Sequence, residues 1–248
     1  MGVDPLLMDL LHQHRSIRSF TNEPVPEAVL EEILEAARRA PTSHHIQAYS
    51  IIRITDPEKR KRLAHLCGNQ RYVEEAPEFL VFTADFYRHS LISEARQQPF
   101  EIHETENVLV GAVDAALAAE NAYIAAKAAG LGGVMIGGIR NEPDGVRECL
   151  DLPPYTFPVM GMCLGYAGEI PEQKPRLPKE AVVFENTYRT DGLQRALNRF
   201  DEAIHAYYTA RSTNQRDTDW STEMSRYFAK KRRRDLTPFL INQGFSMQ

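Results

Sequence analysis

The chain has 248 residues, of which 43% are hydrophobic, 25% charged and 9% aromatic, and its formal net charge is −5. These proportions are those of an ordinary soluble globular protein, so they exclude disordered, collagen-like and low-complexity architectures. Length alone allows one large domain or two small ones.

In the first half of the chain, hydrophobic periodicity predicts three helices and two strands. Asp56-Pro57 places an N-cap residue before a proline at the first helical position, which is typical of a helix start. The continuous apolar run 79–84 predicts a strand that is buried on both faces. The helices are predicted over residues 4–14, 26–40 and 56–66, and the strands over 49–54 and 79–84.

In the second half, an alanine-rich stretch over 105–129 predicts a helix that is apolar nearly all round, and therefore placed in the middle of the molecule. Residues 171–178 form an extended, proline-rich arm. Helices flanking several short strands indicate a layered α/β or α+β protein. Further helices are predicted over 142–150, 193–211 and 223–234, and further strands over 132–139 and 159–166.

Several functional classes are disfavoured by simple features of the sequence. Three widely spaced cysteines (Cys67, Cys149 and Cys163) without a Cys-x-x-Cys pattern predict neither a disulfide framework nor a zinc cluster. The adjacent pair His44-His45 lacks the spacing of a metal site. The N-terminus is acidic where a signal peptide is basic, and the charges within 108–129 would be costly in lipid. The sequence predicts a cytoplasmic protein without metal or membrane contact.

The charge is distributed unevenly along the chain. Residues 211–248 contain eight Lys/Arg and four Asp/Glu, a net charge of +4, which leaves −9 on residues 1–210. Such a basic segment is expected either to meet an anionic partner or to form a solvated helix face.

Four segments combine side chains suited to ligand binding. The segment 14–18 (HRSIR) predicts an anion site, or a helix end whose cations complement the helix dipole. The loop 41–47 is rich in small donors and amides, which suits a flat heteroaromatic ligand as well as an ordinary polar loop. Lys174-Pro175-Arg176 holds two cations at a fixed separation, as in a phosphate clamp or a surface linker.

The fourth segment is the glycine-rich run 130–138. It is not a dinucleotide fingerprint, because the order is helix, glycines, strand, whereas that motif follows a strand and opens a helix. Gly137-Gly138 ends a predicted strand, so its backbone can approach a ligand closely. No nucleophile elbow or acid–base pair accompanies these segments, which fits chemistry performed by a cofactor.

Taken in order, these motifs resemble those of the FMN-dependent nitroreductase family, and more narrowly its NADPH-dependent, oxygen-insensitive nitroreductase and flavin reductase subgroup. The resemblance covers nearly the whole chain. Its residues are His14–Phe20, Gln47 before the strand at 50–52, Gly68–Gln70, Ile136–Asn141, Cys163–Tyr166, Lys174–Pro178 and Glu185-Asn186.

The resemblance implies an α+β, three-layer sandwich in which a mostly antiparallel sheet lies between helices. It implies an intertwined homodimer with FMN at each of two interfaces, for which an apolar helix over 105–129 is suited. The chain would be one domain, with an FMN-binding core over 1–187 and a helical C-terminal extension over 188–248.

The resemblance also assigns residues to the bound FMN. The phosphate and ribityl chain would meet the first segment, the two cations of the proline-rich arm would close on the phosphate or the polar edge of the flavin, and the glycine backbone would lie against the flavin ring. Relatives often have a serine-rich loop where this chain has Thr42-Ser43-His44-His45, so His44 changes the mouth of the pocket. The cofactor-binding residues are His14, Arg15, Ser16, Arg18, Thr42, Ser43, Gln47, Gln70, Ile136, Gly137, Gly138, Lys174 and Arg176.

For the basic tail, the resemblance implies that Arg211 and Arg233 bind the 2′-phosphate of NADPH. Arg226, Lys230 and Arg233 also have the spacing of one helix face. Binding of nucleic acid by the same tail is the competing hypothesis, and it is disfavoured because the rest of the chain is acidic.

The implied reaction passes hydride from NADPH through bound FMN to a small-molecule acceptor by a ping-pong mechanism, with no side chain as an obligatory base. Nitroaromatics, quinones, azo dyes and free flavin are the expected acceptors. The alternative is a flavin reductase that supplies reduced FMN to a partner monooxygenase.

Overall fold

The protein is described by a computed structural model that covers residues 5–245, so the predicted start of the first helix at Asp4 lies outside the described residues. The chain forms two compact units: residues up to Pro171 together with those from Arg233 onward, and residues 172–232. The predicted division into a core of 1–187 and an extension of 188–248 stays a prediction.

The helices are α1 (Pro5–His12), α2 (Glu27–Arg38), α3 (Pro57–Leu66), α4 (Arg71–Glu75), α5 (Tyr87–Ala95), α6 (Thr105–Ala128), α7 (Pro143–Leu150), α8 (Leu193–Ala210), α9 (Trp220–Phe228) and α10 (Leu236–Asn242). The strands are β1 (Tyr49–Arg53), β2 (Glu78–Asp85), β3 (Gly132–Ile136) and β4 (Thr156–Gly165), and short 3-10 turns cover Ser43–His45, Gly137–Arg140 and Lys179–Ala181.

The first unit is built on a four-stranded sheet in the order β1-β2-β4-β3, in which each neighbouring pair is antiparallel. Every residue of the central strand β2 is buried. Its alternate side chains enter two cores, because successive side chains of a strand point to opposite faces. Leu80 and Phe82 pack with α2 and α6, whereas Phe79 and Val81 pack with α3, α4 and α7. The predicted three-layer α+β sandwich with an antiparallel sheet is confirmed.

The start of α3 shows how local chemistry sets an element. Pro57 occupies the first turn, and the Asp56 carboxylate accepts hydrogen bonds from the backbone N–H groups of Glu58 and Lys59 at 2.8 and 3.1 Å. These bonds satisfy donors that have no partner within the helix. The predicted start of this helix is therefore confirmed.

The long helix α6 has one buried and one exposed face, although the sequence placed it in the middle of the molecule. Within one chain that prediction is wrong: Leu109, Val113 and Leu117 are 57%, 53% and 36% exposed. We call these three residues the α6 stripe. By length and composition α6 also meets the criterion for a membrane-crossing helix. Its opposite face packs against the sheet and α2, as in the core helix of a soluble protein.

The basic tail departs furthest from the prediction. The helix expected over 223–234 is instead α9, which begins after the N-cap Asp219 and ends at Phe228. Lys230 and Arg233 lie beyond its end, so the placing of Arg226, Lys230 and Arg233 on one helix face is wrong. The strand expected over 132–139 ends at Ile136, because the chain turns into a 3-10 helix at Gly137. Helices α4, α5 and α10 were not predicted.

The second unit contains α8 and α9. Its core consists of Phe200, Ile204 and Tyr208 from one face of α8, with Trp220 packed edge-on to Phe200 at 5.7 Å between ring centroids. The i, i+4, i+8 spacing of the three core residues is that of an amphipathic helix.

Candidate functional site

The segment 14–18 is anchored to the sheet through Ile17, which is 5% exposed. Its backbone N–H donates to the Gly133 carbonyl at 2.9 Å, and the Tyr123 hydroxyl donates to the Arg15 carbonyl at 2.9 Å. A Cβ on Gly132 would lie 2.5 Å from Ile17 Cγ1, so only glycine at 132 allows this seat. With Ile17 buried, the polar side chains on either side of it remain partly or fully exposed.

The same segment concentrates positive charge. One nitrogen of each guanidinium donates a hydrogen bond to a nearby carbonyl. Arg15 donates to the Gln13 carbonyl at 3.1 Å, and Arg18 donates to the Ser16 carbonyl at 3.4 Å. A guanidinium has five N–H donors, so most stay available for an anion. The Lys127 amine, bonded to the Leu10 carbonyl, adds a third cation, and burial together with Arg15 lowers its pKa. The sequence offered no signal for Lys127, because its proximity to Arg15 is purely tertiary.

The glycine backbone packs directly on the turn at 67–70. A Cβ on Gly138 would collide with the Cys67 carbonyl oxygen and lie 2.7 Å from Gln70 Nε2. The Gln70 amide is held at both ends, because Nε2 donates to the Cys67 carbonyl at 2.9 Å and Oε1 accepts from the Tyr72 hydroxyl at 2.7 Å. The structure therefore brings together Gln70, Gly137 and Gly138, and adds Tyr72, which sequence reasoning missed. Their contact with FMN stays a prediction.

Arg233 also reaches this glycine turn. Its guanidinium donates to the Gly137 carbonyl at 2.9 Å and to Asn141 Oδ1 at 3.2 Å. The backbone at Arg233 has φ of +50°, which marks a tight turn between α9 and α10. Arg233 thus lies beside the backbone predicted to face the flavin. Its assignment to the NADPH 2′-phosphate stays a prediction.

The loop 42–47 is held from two directions. From α6, the Asp114 carboxylate accepts the backbone N–H groups of Ser43 and Ala48, each at 3.0 Å. From α5, Arg88 donates to the Gln47 carbonyl at 3.1 Å, and His89 Nε2 lies 2.8 Å from the Ile46 carbonyl. In the sequence Asp114 is visible only as a charge within an apolar stretch, and no motif marks Arg88 or His89.

A cavity of about 660 Å³ opens beside this loop, between α2, β1 and α5. Ile46 and Gln47 form part of its wall, and Arg38 and Arg88 bring positive charge to it. It therefore has a polar, cationic side next to the predicted ligand-binding loop.

The segment 14–18 and the loop 42–47, the two donor clusters of the first unit, are bound at different places on α6. Tyr123 holds the segment 14–18 and Asp114 holds the loop 42–47. Nine residues along a helix correspond to about 13 Å and about two and a half turns, so the two side chains leave opposite sides of the helix axis. Within one chain, therefore, the loop and the segment are bound at opposite edges of the buried face of α6.

The remaining predicted residues belong to the second unit. The Lys174 amine donates to the Tyr208 hydroxyl at 3.0 Å, and Arg176 donates to the Lys174 carbonyl at 2.8 Å. Arg211 Nε is buried and has no hydrogen-bond partner among the described residues, so it is suited to an anionic ligand. The assignments of Lys174 and Arg176 to the FMN phosphate and of Arg211 to NADPH stay predictions.

The described residues hold no metal cluster, and their cysteines are buried. Among residues 5–245, no group of three or more His, Cys, Asp and Glu side chains could hold a metal ion. The three cysteines are buried, and burial raises the pKa of Cys67 to about 12, which suppresses its thiolate. The donor chemistry fits FMN instead: guanidiniums for the phosphate, a fixed amide at Gln70 for a polar ring edge, and glycine backbone for a flat ring.

Comparisons with known proteins agree with this chemistry. Residues 11–166 match the Nitroreductase family, and residues 174–248 match the family's C-terminal domain. The chain is 44% identical over 239 residues to an oxygen-insensitive NADPH nitroreductase of Salmonella typhimurium, covering 96% of this chain and 98% of that protein. It is 40% identical over 243 residues to an FMN reductase (NADPH) of Bacillus subtilis, covering 96% and 98%.

A solved structure shows the same fold. The NfrA1 nitroreductase of B. subtilis superimposes with a TM-score of 0.94 at 40% identity, covering 98% of this chain and all of that one.

Proposed function

This chain belongs to the nitroreductase family, and from that premise we propose that it is an NADPH-dependent FMN oxidoreductase that reduces small-molecule acceptors. The observation that carries the proposal is the cationic segment 14–18, seated by Ile17 at the start of β3, together with the glycine turn that follows the same strand. An anion-binding end and a flat, backbone-lined surface are the two features that a flavin mononucleotide requires.

Each group of the first unit has a role in this proposal. The donors of His14, Arg15, Ser16 and Arg18 bind the FMN phosphate and ribityl chain, and Lys127 strengthens the positive potential there. Gln70, fixed by Tyr72 and Cys67, presents its amide to the flavin, and Arg233 orients the Gly137 carbonyl. When bound, FMN supplies the redox chemistry, taking hydride from NADPH and passing electrons to the acceptor. The protein binds and orients, and no side chain serves as an obligatory base.

The complete site in this proposal requires a homodimer. The loop 42–47 and the segment 14–18 attach at opposite edges of α6, so a second copy would bring its loop to the first copy's FMN. The α6 stripe supports this arrangement, because it leaves an apolar surface exposed on the helix that carries both attachments.

The proposed acceptors are nitroaromatics, quinones and free flavin, because an open pocket admits different flat molecules. NADPH and the acceptor would occupy the same face of the flavin one after the other. A flavin reductase that supplies a partner monooxygenase is the second candidate, since one close relative is an FMN reductase. A cytoplasmic location is part of the proposal, because NADPH is an intracellular reductant.

The test is direct. Purified protein should show a flavin absorption band, or acquire one with added FMN, and should oxidise NADPH when a nitroaromatic, a quinone or free FMN is supplied. A strong preference for free FMN would favour the flavin reductase role. Protein that neither contains nor takes up FMN would contradict the proposal.

A further inference from the structure

Asp114 is an unusual residue for its position. It lies in the middle of α6 among alanines, its side chain is fully buried, and no ion pair to it is found among residues 5–245. Burying a carboxylate is costly unless hydrogen bonds compensate. Here the loop 42–47 and the residue that follows it provide these hydrogen bonds. The backbone N–H groups of Ser43 and Ala48 each donate to an Asp114 carboxylate oxygen at 3.0 Å.

The loop between those two donors adopts a conformation that its residues do not favour. His44, His45 and Gln47 have φ of +45°, +58° and +55°, a left-handed region that non-glycine residues seldom occupy. Three such residues within four positions persist only where surrounding contacts hold them. The Asp114 carboxylate bonds the loop on both sides of the strained residues, at Ser43 and at Ala48.

The contacts that hold this loop from α5 and α6 go to its backbone. The N–H groups of Ser43 and Ala48 donate to Asp114, and Arg88 and His89 bind the Gln47 and Ile46 carbonyls. The His44 and Gln47 side chains are exposed, and Gln47 Nε2 lies 3.3 Å from His45 Nε2. We propose that Asp114 is the positioning residue of this site: its buried charge clamps the loop 42–47 in the strained conformation that presents Ser43 and Gln47 to the bound flavin and acceptor. This inference rests on the proposed function, and it assigns Asp114 no contact with the ligand itself.

Asp114→Asn tests the clamp, because asparagine keeps the shape but replaces one acceptor oxygen with a donor NH₂. We expect FMN to dissociate about tenfold to a hundredfold more readily, as expected for loss of a hydrogen bond to a charged group. We also expect faster amide exchange in the peptide that contains Ser43 and Ala48. FMN release is followed by its fluorescence on dilution, and exchange by mass spectrometry.

Glu78→Gln is the matched control. Glu78 is a buried carboxylate paired with Arg53 at 2.8 Å, in β2 and away from the loop. We expect it to lower global stability without changing FMN release or exchange at 43–48. If Asp114→Asn and Glu78→Gln behave alike in both measurements, Asp114 is merely structural and the inference is overturned.

If Asp114→Asn fails to fold, a second pair of variants tests the same hydrogen bond by changing Ser43 in the loop instead of Asp114. Ser43→Pro removes the N–H that Asp114 accepts, at the first position of a 3-10 turn preceded by an extended residue, where proline is tolerated. Ser43→Ala removes the hydroxyl but keeps that N–H. Greater loss of FMN in Ser43→Pro supports the clamp, and equal effects overturn it. Wild-type protein that binds no FMN contradicts the proposed function instead, while the exchange data still test the clamp.

Discussion

Arg233 and Arg211 differ in how many of their donors the protein already occupies. Its guanidinium is engaged at two nitrogens, with the Gly137 carbonyl and with Asn141 Oδ1, so only its remaining donors can reach a nucleotide phosphate. Arg211 differs, because its buried Nε has no partner among the residues that the structure describes. The two arginines assigned to the 2′-phosphate should therefore respond differently to truncation.

We expect Arg211→Ala to raise the KM for NADPH about tenfold while leaving the KM for NADH and the FMN content unchanged, because the proposed ligand of Arg211 is the 2′-phosphate alone. Arg233→Ala should raise the KM for NADPH and also weaken FMN retention, because the Gly137 carbonyl loses its donor. Steady-state kinetics give the KM for NADPH and for NADH, and the flavin content of the purified variants gives FMN retention.

Arg234→Ala, an exposed neighbour in the same tail, controls for the change in net charge. If Arg211→Ala and Arg233→Ala each raise the KM for NADPH and the KM for NADH equally, the assignment of these arginines to the 2′-phosphate is contradicted.

At the scale of elements, the contact between the glycine turn and the turn at 67–70 is sterically tight. Gly137 and Gly138 are adjacent, yet a Cβ at 137 would meet its nearest neighbour, an Arg140 nitrogen, at 3.4 Å, whereas a Cβ at 138 would collide with the Cys67 carbonyl. Alanine at 137 therefore tests whether a ligand needs the space beside the backbone. Alanine at 138 tests the packing of the glycine turn against the turn at 67–70.

We expect Gly138→Ala to lower the free energy of unfolding by about 1–3 kcal/mol, the usual cost of overpacking, and to reduce FMN retention because Gln70 must move. Gly137→Ala should leave stability nearly unchanged but weaken FMN retention, if the flavin lies against this backbone. Urea denaturation and flavin content separate the two effects. A Gly137→Ala variant with normal FMN retention would place the flavin elsewhere.

The predicted elements succeeded or failed for identifiable reasons. The helix at Asp56-Pro57 was confirmed because its cap and first turn are chemistry between near neighbours. The helix over 223–234 was predicted wrongly, because charge spacing carries no information on where Phe228 ends α9. Helix α5 went unpredicted, since it has little amphipathic pattern and no fully buried residue.

At the scale of the whole molecule, the α6 stripe is the feature that supports the proposed homodimer. Isolated exposed apolar residues need no explanation, but Leu109, Val113 and Leu117 follow one helix face at i, i+4 and i+8. The same helix holds both donor clusters, so association through the stripe would couple assembly to cofactor binding.

We expect Val113→Glu to convert a dimer into a monomer and to abolish FMN retention, because a charge on the stripe must be desolvated in the interface. Analytical ultracentrifugation and flavin content measure the result, with circular dichroism to check the fold. Ile241→Glu, an exposed apolar residue of α10, is the matched control and should remain dimeric. A monomeric wild-type protein with full FMN content would contradict the prediction.

The sequence by itself determined the local features of this protein. Periodicity, caps and apolar runs predicted most helices and strands of the sandwich, because these signals act between residues a few positions apart. Ordered short motifs then predicted the family, and with it the segment 14–18, Gln70 and the glycine turn. These residues needed no fold to be singled out, since their donor chemistry is visible in the side chains.

Only the tertiary structure decided how those parts are held. Asp114 meets Ser43 across 71 positions of sequence, and Arg233 meets Gly137 across 96. No spacing rule reaches so far, because such pairs form only when separate elements pack on one sheet. The fold likewise decided that α6 exposes its stripe, which a helix apolar all round does not reveal. The contacts that hold the predicted binding residues in place therefore depend on tertiary packing, whereas the side-chain chemistry that singled those residues out is visible in the sequence.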